Sequence, residues 1–136
     1  FGSNETPEAA LPFKTHVLGA INDDAKLSQI YTAADVMVVP SLQETFGQTA
    51  AEALACGTPV VAFDATGLKD VVDHRVNGYL ARPFDPFDLA AGMAWVLAQP
   101  AAALRPIARA KAAHAFDQTH CAQNHIDLYR RLGIRD

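Results

Sequence analysis

The chain has 136 residues, 50% apolar and 19% charged, a globular composition that excludes wholesale disorder and suits one domain or part of one. Eleven lysines and arginines against 15 aspartates and glutamates leave a net charge of −4, without the basic footprint on which nucleic-acid affinity rests. Cys56 and Cys121 lie far apart with no metal-type spacing, so neither a disulfide scaffold nor a zinc module is expected, and a reducing, cytoplasmic setting is the default.

The opening Phe1-Gly2-Ser3 reads as the end of a buried strand running into a glycine loop, or equally as residues left by expression. It has neither the basic start nor the apolar core of a signal peptide, and no apolar run in the chain spans a bilayer. A polar loop follows from Asn4 to Lys14. Thr15-His16-Val17-Leu18-Gly19 predicts a short strand ended by glycine. Asn22-Asp23-Asp24 offers a helix cap, and Leu27, Ile30, Tyr31 and Ala34 then recur at helical spacing. Val36-Met37-Val38-Val39, closed by Pro40, is apolar throughout, as a strand covered on both faces should be.

A helix is predicted from about Phe46 to Ala55, stopped by Gly57-Thr58-Pro59. Val60-Val61-Ala62-Phe63 is the next continuous apolar strand. Thr66-Gly67 opens a further loop-to-helix turn with Leu68, Val71 and Val72 as its apolar face. Asn77-Gly78 signals a turn before the short strand Gly78-Tyr79-Leu80-Ala81. Asp85-Pro86 starts a helix that carries Leu89, Met93, Val96 and Leu97 inward. Beyond Pro100 there is no strand signal. Leu104, Ile107, Ala108, Ala115 and Phe116 suggest one helix, with Pro106 in its first turn or kinking it. His125, Leu128, Tyr129 and Leu132 suggest a last helix ended by Gly133. Strands alternating with helices predict an α/β fold: a parallel, Rossmann-like sheet of three or four strands with flanking helices.

In such a sheet, ligands bind beyond the carboxyl ends of the strands. The loop Ser41 to Gly47 sits at one of these ends and feeds a helix N-terminus, with open N–H groups and the positive end of the helix dipole. Gly47 removes a side chain where a ligand could approach the backbone, so the ingredients of a phosphate site are present. Glu44 precedes the helix and Glu52 stands on its second turn, roughly 7 Å along the axis from Gly47. Gln48, Thr49 and Glu52 share one polar stripe, while Ala50, Ala53 and Leu54 face the core. A diphosphate at the helix N-terminus would then have one carboxylate on either side, suited to ribose hydroxyls near Glu52 and a sugar near Glu44. Spacing alone favours a cap or a solvated helix face for Glu52: Thr45 with Gln48, and Thr49 with Glu52, both match a capping box.

The stretch Ala34-Asp35-Val36-Met37-Val38-Val39-Pro40-Ser41, with Glu44-Thr45-Phe46-Gly47-Gln48-Thr49-Ala50-Ala51-Glu52-Ala53-Leu54-Ala55-Cys56-Gly57-Thr58-Pro59-Val60-Val61, resembles retaining glycosyltransferases of the GT-B fold. These are enzymes of the sucrose-synthase, mannosyltransferase and lipopolysaccharide-glycosyltransferase type, marked by two glutamates separated by seven residues. Gly67-Leu68-Lys69-Asp70-Val71-Val72, Asn77-Gly78-Tyr79-Leu80 and Val17-Leu18-Gly19 extend the resemblance, which runs from about Phe1 to Leu132. Thr66-Gly67 stands where such proteins usually show two adjacent glycines, and Asp70 where glutamate is frequent.

The resemblance implies that the chain binds a nucleotide-sugar donor, most often a uridine and next a guanosine diphosphate sugar in that family. Glu52 would meet the ribose hydroxyls. Glu44, Phe46 and Gly47 would meet the donor sugar, and Gln48 and Thr49 the diphosphate. Gly19, Ala20 and Ile21 would line the base pocket through backbone atoms. Neither a metal nor another cofactor is implied, and no residue is named as a catalytic base. The family's donor-phosphate arginine and lysine lie upstream and have no counterpart here, nor has its N-terminal acceptor-binding domain. Residues 1–136 are therefore expected to be a partial C-terminal, donor-binding domain without turnover of its own. An exposed sheet edge would then favour a homodimer.

Among the other residues, His16, His74, His114, His120 and His125 are scattered, and no metal role is expected. Cys56 reads as packed in a small-residue turn, and Trp95 as core or interface. Arg105, Arg109 and Lys111 read as a solvated helix face, with peripheral contact to an anionic membrane as the alternative. Two other readings compete with the transferase: a nucleotide-binding or interaction module that stands alone, and a flavodoxin-like or receiver-type domain.

Overall fold

A computed structural model describes residues 12–134. The elements are α1 (Asp24–Ala33), β1 (Met37–Val39), α2 (Gln48–Ala55), β2 (Val60–Phe63), α3 (Leu68–Val71), β3 (Gly78–Ala81), α4 (Pro86–Ala98), α5 (Ala101–Ala115) and α6 (Gln118–Arg131). The strands form one parallel sheet in the order β1-β2-β3, with Val38 opposite Val61 and Val61 opposite Tyr79. The expected strand end at Phe1 and most of the loop from Asn4 to Lys14 lie outside the described residues.

Successive β2 side chains enter opposite cores, which is why this strand is apolar at every position. Val60 and Ala62 pack with Tyr31, Leu54, Leu68, Ala108 and Ala112 on one face. Val61 and Phe63 pack with Tyr79, Ala81, Val96 and Leu104 on the other. The caps follow local chemistry. Asp23 accepts from the Lys26 amide at the start of α1, and Asp85 accepts from Phe87 and Asp88 with Pro86 at the first helical position of α4.

Several sequence expectations fail. Thr15 to Gly19 forms no strand: no neighbouring strand pairs with it among the described residues, and Val17 and Leu18 stay exposed. A strand exists only by its hydrogen-bonded partner. Leu97 and Ile107 point outward, because α4 buries Gly92 and Val96, and α5 buries Leu104, Ala108 and Ala112. Gly92 lies so close to Tyr79 and Val61 that an added Cβ would stand 2.5 Å from a Tyr79 ring carbon, so this glycine sets the face that α4 presents. Pro106 does not sit in the first turn; it lies inside α5, which runs through it from Ala101 to Ala115. The expected last helix does form as α6, but it buries none of its residues; Leu128 and Tyr129, and Leu132 at its C-cap, are all exposed.

Nor are the three cations of α5 a solvated face. The Arg105 guanidinium donates to the carbonyls of Thr32 (3.0 Å) and Ala34 (2.8 Å), satisfying the open C-terminal end of α1. Lys111 pairs with Asp73 at 2.9 Å. Arg109 is the exposed one of the three.

Candidate functional site

The loop after β1 ends at Gly47, whose φ of +90° places it in the left-handed region. Substitution there is doubly opposed, since an added Cβ would stand 2.8 Å from the Leu68 Cδ2. This turn sets the start of α2 at Gln48, two residues later than the apolar pattern suggests. Among the described residues no side chain caps the helix and neither capping box forms. Within those residues the first amides of α2 are left to a ligand or to water, at the positive end of the dipole.

Glu52 is instead held by side chains. Its Oε2 accepts from the Tyr31 hydroxyl at 3.0 Å, and its Oε1 from the Gln48 amide nitrogen at 3.1 Å. Tyr31 is only 2% exposed. Burial, and then the hydrogen bond to Glu52, push the phenol well above its ordinary pKa, so it remains a donor at every physiological pH. The backbone behind Tyr31 is fixed as well, because the buried Thr58 hydroxyl donates to its carbonyl at 2.6 Å. The carboxylate that spacing alone left as a cap or a surface charge is a pre-oriented acceptor at the rim of two grooves.

One groove, of about 390 Å³, lies between α1 and α2 and is lined by Asp24, Leu27, Ser28, Tyr31, Gln48, Glu52 and Cys56. The other, of about 700 Å³, lies between α2 and the α5–α6 corner, where Phe46, Gln48, Glu52, Arg109 and Phe116 are among its walls. Phe46 and Phe116 meet edge to face at 5.3 Å, which anchors the loop before Gly47 to the end of α5.

Of the residues named from sequence, Phe46, Gln48 and Glu52 come together on these grooves. Glu44 stands midway along the same loop, its Cγ 3.7 Å from the place a Gly47 Cβ would take. Thr49 is exposed on the first turn of α2. Gly19, Ala20 and Ile21 lie in the irregular segment before α1 and line neither groove. In the sequence Tyr31 is one position of an apolar helical face; a tyrosine at a core position needs a partner for its hydroxyl, and that is the signal that points to its role. Cys56 is half-buried and packs against the core, and Trp95 packs beside Tyr79. Among the described residues no three His, Cys, Asp or Glu side chains gather as a metal site, and no single helix is long and apolar enough to cross a membrane.

A parallel sheet covered by helices on both faces, with a helix N-terminus beyond β1, has the α/β layout in which ligands bind outside the carboxyl ends of the strands. Comparison with known proteins places it further. Residues 3–113 match the model of the family "Glycosyl transferases group 1", and the chain belongs to that family. It is 44% identical over 111 residues to a D-inositol 3-phosphate glycosyltransferase of Xylanimonas cellulosilytica, covering 81% of this chain and 27% of that protein. The corresponding enzyme of Mycolicibacterium vanbaalenii is 49% identical over 107 residues, covering 77% and 23%. Among solved structures, sucrose-phosphate synthase from Thermosynechococcus elongatus superposes with a TM-score of 0.74 at 39% identity, covering 85% of this chain and 29% of that one. Anabaena HepE in complex with UDP and glucose gives a TM-score of 0.72 at 31% identity, covering 84% and 31%. The chain thus spans about a quarter of the length of the curated relatives. The three-stranded parallel sheet with its flanking helices is the architecture of the C-terminal domain of GT-B glycosyltransferases.

Proposed function

We propose that this chain binds the donor for a glycosyltransferase that takes a sugar from a nucleoside diphosphate and transfers it with retention of configuration. The carrying observation is the pairing of an uncapped helix N-terminus with Glu52, a carboxylate already held by Tyr31 and Gln48 one turn further on. The open amides of Gln48 and Thr49 take the diphosphate, whose charge the helix dipole offsets. Glu52 accepts from the ribose hydroxyls. Glu44 accepts from the hydroxyls of the donor sugar, and the backbone amides of Phe46 and Gly47 donate to its oxygens, so that together they orient its anomeric carbon. Gly19, Ala20 and Ile21 border the base.

In this reading the domain binds and orients the donor, and a second domain brings the acceptor. Departure of the nucleoside diphosphate is the charged step, and the α2 N-terminus supplies part of the stabilisation it needs. Uridine is the base to test first, since HepE was crystallised with UDP and with UDP-glucose.

The test is ligand-observed NMR of the chain with UDP, UDP-glucose, GDP and ADP, beside Glu52→Ala. Removing an ionised acceptor from two ribose hydroxyls should weaken the preferred nucleotide by about 10- to 100-fold. A Glu52→Ala protein that keeps its fold and binds nucleotide as well as the wild type would refute the assignment.

A further inference from the structure

Thr66 has a φ of +50°, in the left-handed region that a β-branched side chain rarely enters. Such a residue persists only where its surroundings over-determine it. Here the surroundings are the backbone of Glu44. The Glu44 amide donates to the Thr66 Oγ1 at 3.1 Å, and the Gly67 amide donates to the Glu44 carbonyl at 3.0 Å. Two consecutive residues of the loop after β2 thus hold both backbone polar groups of one residue in the loop after β1.

The two loops also touch backbone to backbone. An added Cβ on Gly67 would run into the Thr45 carbonyl and stand 2.8 Å from the Phe46 Cα. Across the same junction Leu68, fully buried, packs against Gly47. Glycine at position 66 would relieve the strained φ but would leave the Glu44 amide without its acceptor. A threonine there trades local backbone freedom for a fixed Glu44.

We propose that Thr66 is a positioning residue for the donor sugar: its Oγ1, with the Gly67 amide, sets where the Glu44 carboxylate stands. The inference rests on the reading of Glu44 as the donor-sugar contact. Thr66 itself need not touch the ligand.

Two measurements test it on the intact chain. The first needs no ligand: amide hydrogen exchange at Glu44. Protection is expected in the wild type and in Thr66→Ser, which keeps the oxygen, and is lost in Thr66→Val and Thr66→Gly. Unchanged Glu44 exchange in Thr66→Val and Thr66→Gly overturns the proposal. The second is the ratio of UDP-glucose to UDP affinity. Thr66→Gly and Thr66→Val should lower that ratio by about fivefold, the worth of one ordinary hydrogen bond, with UDP affinity itself unchanged; Thr66→Ser restores it. Thr66→Gly removes strain and should melt no earlier than Thr66→Val, so its lost preference cannot come from unfolding. Should Glu44→Ala leave the ratio intact, the donor-sugar reading of Glu44 is wrong. Should Glu44→Ala abolish the preference while Thr66→Val keeps it, that reading stands and the positioning role falls.

Discussion

Replacing Tyr31 by phenylalanine removes one oxygen and leaves the ring in place. The ring is buried, and the hydroxyl donates to the Glu52 Oε2 at 3.0 Å. A hydrogen bond to an ionised acceptor is worth about 1.5–3 kcal/mol. Glu52 is only half-buried and keeps its Gln48 partner at 3.1 Å, so water can replace part of the loss. The expected destabilisation therefore falls to the lower end of that range or just below it, about 1–1.5 kcal/mol, or about 3–5 °C in Tm for a chain of this size. Binding should suffer separately. A carboxylate freed on one side must be ordered again by the ligand, at about 0.5–1.5 kcal/mol, which is roughly a 2- to 12-fold weaker nucleotide. Circular dichroism melts and a ligand-observed NMR titration read the two effects. A Tyr31→Phe protein with wild-type Tm and wild-type affinity would show that the phenol does not hold Glu52, and the pre-oriented site would fall with it.

Two further predictions concern the frame around the site. Arg105→Ala removes both donors from the α1 carbonyls of Thr32 and Ala34 and should cost about 1–3 kcal/mol in urea unfolding; Arg105→Lys, which cannot span both carbonyls, should recover less than half, and an unchanged midpoint would count against the role given to Arg105. Asp88 is held below the ordinary carboxylate range, first by the Arg82 backbone amide, then by the Tyr79 hydroxyl and the Arg82 side chain, against an opposing effect of burial. Its folded pKa lies below its unfolded one, so its stabilisation is present above the unfolded value and drains away as pH falls through the folded value. The wild type should lose stability on acidification more steeply than Asp88→Asn, with the two curves converging in strong acid; parallel curves would refute the assignment.

Local chemistry made much of this protein legible in its sequence. Continuous apolar runs announced β1 and β2, because strands covered on both faces carry no polar alternation. Asp23 and Asp85 cap the helices they precede, because a cap depends on amides only two or three residues away. Helical spacing sent Ala50, Ala53 and Leu54 to the core and left Gln48 and Glu52 on one stripe, where they bond each other. The motif with its two glutamates likewise pointed to the family that residues 3–113 match.

Tertiary structure decided the rest, and in each case the deciding partner is distant in the chain. Thr15 to Gly19 has strand-like residues but no strand beside it among the described residues. Leu97 and Ile107 carry apolar side chains at plausible positions, yet the close approach of Gly92 to Tyr79 and the burial of Leu104, Ala108 and Ala112 turned other faces inward. Glu52 looked like half of a capping box until the left-handed Gly47 ended the turn without one and Tyr31, 21 residues upstream, took the carboxylate. Thr66 looked like a mild departure from a glycine pair until its hydroxyl met the Glu44 amide, 22 residues away. Caps and periodicity are energies between near neighbours, so a linear chain displays them; the acceptor of a buried hydroxyl or the partner of a loop amide is chosen only when the packed sheet brings separate loops together.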